Sequence, residues 1–314
     1  MRILAIIKNG ENNYQLRQLE KKGHSVTIIT EVDVIPYNDI DVIVSLSHDT
    51  VEEAFNASQR YNLPFYAHID WIPPWMVFKD SEFNWGHIDK IPFSEKMNFI
   101  RKYQNIVMYW SMADVKSMSA NCFHSLMREL IGIPDLTIYT RYPRPDIDSI
   151  SEFLKQKEDI EIKDEITCVS RFTPHKRISH LIKALQMIEY EGTLNLIGSG
   201  EDKNMYDAIK GNLNIKYVSD LDKYETIAHS RLVVSLWNAT VALESLLLGT
   251  PVITYDSEYM RETCCNNITY VTNNSSSELA REINKMLSTE NIRKDYLISE
   301  DDILEKLIIK AVRR

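Results

Sequence analysis

The 314-residue chain has no long hydrophobic run, no excess of positive charge and only four cysteines. Its longest apolar stretches, such as "RILAII" and "DVIVSL", fall far short of the ~20 residues that cross a bilayer, so no membrane span is expected. The opening "MRILAII" has one basic residue and no small-residue cleavage site, which argues against a secretory leader. A formal net charge of -9 disfavours a broad nucleic-acid-binding surface and leaves peripheral membrane contact open. Cys122, Cys168, Cys264 and Cys265 have neither metal-ligand spacing nor the density of a disulfide scaffold, so reduced thiols and a cytoplasmic setting are the expectation. Without a secretory route, the glycosylation-type triplets at Asn56, Asn238 and Asn267 carry no weight.

What is present is 44% hydrophobic residues, enough for two α/β cores in a chain of this length. The hydrophobic period alternates between short apolar runs and helical stripes. In the first half, strands are predicted at 2–7, 26–30, 42–46, 64–68, 106–109, 115–119 and 136–139, with helices over 13–22, 51–61 and 122–131. In the second half, strands are predicted at 166–170, 193–197, 215–218, 232–236, 252–255 and 268–271. Near-continuous apolar strands suit parallel sheets covered on both faces. The proline-interrupted and then charge-dense stretch "TRYPRPDIDSISEFLKQKEDIEIKDE" reads as a junction. The expected organisation is an amino-terminal Rossmann-like domain over 1–143, a linker over 144–164, a second Rossmann-like domain over 165–290, and a helical segment over 291–314 that packs back on the first. Two doubly wound sheets of this kind take ligands at the carboxyl ends of their strands.

The segment "SRFTPHKRISHLI" puts Arg171 and Lys176 in a loop at such a strand end, where two fixed cations suit a diphosphate; ordinary solvated charge is the plainer reading of an isolated pair. In "NLIGSGED", Gly198 and Gly200 permit a tight turn and close backbone approach, to a ligand or to the protein itself. In "SLWNATVALESLLLGTPVITYD" a strand runs into a helix predicted over 240–248, whose first N–H groups, near Thr240 and Val241, form an anion site. Glu244, among leucines one turn inside, needs a partner: sugar hydroxyls or a basic group. Asp-x-Asp occurs at 39–41, 146–148 and 220–222, too common a pattern in an acidic chain to mark a metal site. His68, with Asp70 and Trp71 in "HIDWIPPW", follows an apolar strand in a loop rich in aromatics and proline.

"VSRFTPHKRISHLIKAL", "LNLIGSGED" and "VSLWNATVALESLLLGTPVITYDSEYMRE", in that order and spacing, resemble the donor domain of the family-four retaining glycosyltransferases (glycosyl transferases group 1), which have the GT-B fold. "EKKGHSVTIIT", "PFYAHIDWIPP" and "MADVKSMSANCFHSLM" extend the resemblance through the first half. It implies a metal-independent transfer, with retention, from a nucleotide-diphosphate sugar to an acceptor hydroxyl on a glycan, lipid or protein. No cofactor is implied beyond that co-substrate. On this resemblance Arg171 and Lys176 hold the diphosphate, Glu244 binds the ribose, and Thr240, Val241, Gly198 and Val218 complete the donor side. His68, Asp70 and Asn238 are then the expected catalytic residues, with His68 near the donor sugar, and Gly10 and Trp71 are on the acceptor side. The first glutamate of the family's paired-glutamate motif is absent: its place falls at Leu236 or Asn238 according to the anchor chosen, and Asn238 is its expected stand-in. The family's glycine pair near the amino terminus is reduced to Gly10. A non-catalytic nucleotide-sugar binding protein and a nucleotide-sugar epimerase are the alternatives.

Overall fold

A computed structural model describes all residues except 8–13, 31–38, 70–92, 157–159, 174–175, 201, 265–266, 273–274, 290–302 and 314. The described residues form two compact units: Met1–Tyr142 with the carboxyl-terminal helix Leu304–Val312, and the chain from Pro143 to Thr289.

The first unit contains β1 (Arg2–Ile6), α1 (Tyr14–Lys21), β2 (Ser25–Ile29), β3 (Val42–Ser45), α2 (Val51–Tyr61), β4 (Phe65–Ile69), α3 (Phe93–Ser111), β5 (Val115–Met118), α4 (Cys122–Ile131) and β6 (Tyr139–Thr140). Its strands form one parallel sheet in the order β2-β1-β3-β4-β5-β6. Side chains alternate across the sheet, so Leu4, Ile6 and Phe65 pack against α2 and α3, while Ile3, Ala5 and Tyr66 pack against α1 and the carboxyl-terminal helix. Both faces are therefore apolar, which is why β3 and β4 are buried end to end.

One expectation gives way here. Residues 106–109, predicted as a strand, lie inside α3: Tyr103, Ile106, Val107 and Trp110 are buried at helical spacing, and a four-residue apolar window cannot tell the two periods apart. The stretch 144–164, expected as a linker, contains α5 (Ile147–Gln156). Asp146 accepts from the Ser149 N–H at 3.1 Å and starts that helix, and Ile150 anchors it in the second unit's core.

The second unit continues with β7 (Lys163–Val169), α6 (Ile178–Met187), β8 (Thr193–Ile197), α7 (Lys203–Ile209), β9 (Asn214–Val218), α8 (Lys223–His229), β10 (Ser230–Val234), α9 (Ala239–Leu247), β11 (Val252–Tyr255), α10 (Glu258–Cys264), β12 (Thr269–Val271) and α11 (Ser276–Leu287). Its sheet is also parallel, in the order β12-β11-β10-β7-β8-β9. The chain runs outward from β7 through β8 to β9, then returns to β10 on the other side of β7 and runs outward again. The order thus reverses between β7 and β10, and the loops leaving those strands flank a crevice at their carboxyl ends. No described helix is long and apolar enough to cross a membrane.

Candidate functional site

The loop leaving β7 is fastened to the loop leaving β8. The Ser170 N–H donates to the Ile197 carbonyl at 2.9 Å, and the Phe172 N–H to the Ser199 carbonyl at 2.7 Å. That proximity explains the two glycines: Gly198 (φ 137°) and Gly200 (φ 149°) hold conformations that side chains rarely adopt. A Cβ on either would collide with the carbonyl oxygen of Ser170 or Phe172. Both glycines serve this backbone contact.

Fixed in this way, the β7 loop carries Arg171, exposed, and Lys176, half-buried. Neither side chain has a hydrogen bond or counter-ion among the described residues. Burial, reinforced by the charge of Arg171, pushes the Lys176 ammonium down to about 8. Burial conversely pushes the Cys168 thiol up to about 12, so beneath the loop it is a neutral core residue and not an anion for Lys176.

Across the crevice, the β10–α9 loop meets the β7–α6 loop through a stacked pair that sequence reasoning missed. The Arg177 guanidinium lies 5.3 Å from the centre of the Trp237 ring, whose neighbour is Tyr255 at 5.0 Å. Arg177 (φ 51°) and Trp237 (φ 54°) both adopt the left-handed conformation, which costs ordinary residues energy and needs surrounding structure to hold it. No sequence signal marks it, since neither residue type favours that region.

Asn238 is the N-cap of α9: its Oδ1 accepts from the Val241 N–H at 3.3 Å. The donor expected to be open at Val241 is therefore occupied by the protein, and Val241 itself is buried; Thr240, next to it, is half-exposed. Val218 ends β9, half-buried against the same apolar cluster as α9.

Glu244 is 2% exposed. Its Oε1 accepts from Lys223 Nζ at 2.9 Å and from the Tyr224 hydroxyl at 3.4 Å, both on α8, so the basic partner is found; Oε2 is buried with none. Burial raises the carboxyl's pKa and Lys223 opposes the shift. Lys223 was invisible in sequence because its contact with Glu244 joins two helices across β10.

In the first unit, His68 lies in β4 within a buried hydroxyl network. Its Nδ1 is 2.8 Å from Ser117 Oγ, itself 2.6 Å from the Tyr66 hydroxyl, and its Nε2 is 3.5 Å from Ser119 Oγ. Gly10, Asp70 and Trp71 lie outside the described residues. Of the acidic pairs, Asp39 and Asp41 both bind Arg2. Asp146 caps α5.

Residues 150–298 match the family model described as glycosyl transferases group 1. By sequence, no curated protein matches. Among solved structures, HepE of Anabaena in complex with UDP and glucose has 16% identity and a TM-score of 0.66, over 99% of this chain and 92% of its own. Sucrose-phosphate synthase of Thermosynechococcus elongatus has 14% identity and a TM-score of 0.63, over 92% and 90%. An alpha-glucosyltransferase in complex with UDP and a 13-mer DNA has 15% identity and a TM-score of 0.61, over 100% and 94%. The matched residues run from within α5 past the end of α11 and so include every loop at the second unit's crevice: the second unit is similar to a glycosyl transferases group 1 domain, in a chain whose two parallel sheets have the GT-B architecture.

Proposed function

We propose that the protein transfers a sugar from a nucleotide-diphosphate donor to an acceptor hydroxyl with retention and without a metal. The observation that carries this reading is the pair Arg171 and Lys176, cations without a counter-ion among the described residues, at the carboxyl end of β7 beside the β7/β10 reversal. An anion with two negative phosphates completes that arrangement, and the charge that grows on the leaving phosphate during transfer meets positive groups already in place. The half-exposed Thr240 at the start of α9 lies on the other side of the crevice. Glu244 offers its unpartnered Oε2 to a ribose hydroxyl, with Lys223 holding the other oxygen. UDP in the HepE and alpha-glucosyltransferase structures favours uridine as the base.

We assign His68 to holding β4 against β5, and leave the acceptor's class, glycan, lipid or protein, to experiment. The net charge of -9 speaks against nucleic acid as acceptor, although one similar structure holds DNA. A cytoplasmic location is part of the same reading, resting on the cysteine content. The deciding test is incubation with UDP-sugars and a panel of sugar acceptors in EDTA, with the anomeric proton of the product read by NMR. Retention in EDTA supports the reading. Inversion overturns its stereochemistry, a need for manganese its metal independence, and tight UDP binding without turnover on any acceptor favours the non-catalytic alternative.

A further inference from the structure

We propose that Arg141, at the carboxyl edge of the first unit's sheet, binds an oxyanion, a carboxylate or a phosphate, separately from the donor loops. Arg141 follows β6 directly and is 5% exposed. Its Nε and Nη2 are buried and have no hydrogen-bond partner, and among the described residues no carboxylate pairs with it. A buried guanidinium in that state is costly, because nothing replaces the water it gave up. Native structures rarely leave such groups unsatisfied, and those that remain call for a bound group or a function.

The surroundings narrow the explanation. Polar neighbours of Arg141 in sequence bond elsewhere: the Thr140 hydroxyl donates to Asn121 Oδ1, and Asn121 Nδ2 donates to the Tyr142 hydroxyl at 3.0 Å. The Arg141 backbone N–H donates to the Met118 carbonyl at 2.8 Å, extending the β5–β6 register in which Ser117 faces Tyr139 and Met118 faces Thr140. One residue further, that register sets Arg141 beside Ser119, a buried serine whose hydroxyl lies 3.5 Å from His68 Nε2. A line of polar groups therefore runs along the carboxyl edge from β4 to β6, ending in a cation without an anion. This is the edge at which parallel sheets take ligands. The planar fork of arginine suits an oxyanion with two oxygens, and a carboxylate and a phosphate both present them.

Calling the bound group part of the acceptor rests on the glycosyl-transfer reading; the anion site itself does not. Binding is therefore measured without turnover, by calorimetry on the full chain carrying Arg171→Ala and Lys176→Ala, so that the donor loop contributes no anion site. Inorganic phosphate and glucuronate are the two probes, which separate phosphate from sugar carboxylate. At least one should bind, and adding Arg141→Gln should weaken it more than about tenfold, the scale of a lost charge-assisted hydrogen bond. In parallel, Arg141→Met in the unsubstituted chain, without added anion, should raise Tm, because an unpaired buried charge is removed. Equal binding before and after Arg141→Gln, or no binding of either probe, overturns the proposal. So does a fall in Tm for Arg141→Met, which would mean that the protein itself satisfies the guanidinium.

Discussion

The two sheets carry polar groups at their carboxyl edges in opposite states of completion. In the first unit, Tyr66, His68, Ser117 and Ser119 are buried and hydrogen-bonded to one another. In the second, the β7 loop holds Arg171 and Lys176 without a counter-ion among the described residues, and Lys176 is partly desolvated beside the charge of Arg171. A satisfied hydrogen-bond network inside a sheet stabilises the fold as soon as it forms. Two like charges held together do the reverse, and such a pair persists where a ligand supplies the missing charge. The contrast separates a hydrogen-bonded histidine from cations without a counter-ion among the described residues better than residue type does. It also singles out Arg141, a charge in the first sheet that resembles the second sheet's pattern.

The strongest way to break the comparison is to remove what holds the β7 loop in place. Gly198→Ala forces a side chain against the Ser170 carbonyl at φ 137° and should cost about 3 kcal/mol or more, the sum of backbone strain and overpacking. Urea denaturation measures it. An unchanged midpoint would show that the β8 loop can retreat, and that Arg171 and Lys176 are not fixed by it.

Next in size is Lys223→Met, which strips Glu244 of its counter-ion. The expected loss is about 2–3 kcal/mol at neutral pH, below the full cost of breaking a buried pair because Glu244 can take up a proton. The sign follows from the raised pKa of Glu244: the folded state then holds a proton that the unfolded state has released, so the variant's stability should fall as pH rises through that titration and recover below it. Chemical denaturation over a pH series checks this; a pH-independent loss would mean that Glu244 stays ionised without Lys223.

Arg171→Ala and Lys176→Ala should each weaken UDP binding by about 1.5–3 kcal/mol, read by calorimetry, while leaving the fold intact. Lys176 adds a pH test with two opposite arms. Its folded-state pKa of about 8 lies below the ordinary 10.5, so between those values the unfolded chain holds the extra proton and the free protein gains stability as pH rises. Ligand affinity should move the other way, falling above pH 8 as the ammonium is lost. Lys176→Met should abolish both trends. If affinity is flat from pH 7 to 9.5 in the parent protein, Lys176 does not contribute its charge to the site.

Legibility in the sequence followed locality. Strand and helix positions in the second unit came through because each is a short apolar run bounded by Gly, Pro or charge, and 193–197 and 252–255 were read with their observed bounds. The misreading of 106–109 came from a window shorter than one helical period, and α5 was hidden by the prolines that precede it. Arg171 and Lys176 were readable because a strand end followed by a basic loop is a local pattern. The Lys223–Glu244 pair, the Arg177–Trp237 stack and the isolation of Arg141 were not, since each depends on residues brought together by β-sheet order or on left-handed backbone that neither arginine nor tryptophan announces.

The smallest effect concerns Asn238, which stands near the absent motif glutamate. Its Oδ1 already accepts from the Val241 N–H, so Asn238→Ala should cost about 1 kcal/mol of stability, the usual worth of an N-cap. Asn238→Ser and Asn238→Asp both cap well, so both should restore that stability. Turnover then separates the two roles. If the side chain only caps α9, the serine variant should match the parent, because the first-turn amides beside Thr240 are again held in place. If its Nδ2 also reaches the donor sugar, serine should restore stability but not rate, while UDP affinity stays the same in the alanine and serine variants, because on the proposed reading its contacts lie at Arg171, Lys176 and Glu244. The aspartate variant adds a negative charge at the start of α9, favourable for the helix but facing the same crevice as the phosphates. It should therefore bind UDP more weakly than the serine variant despite an equal or higher Tm, and equal UDP affinity in the two would place residue 238 out of reach of the donor's charge.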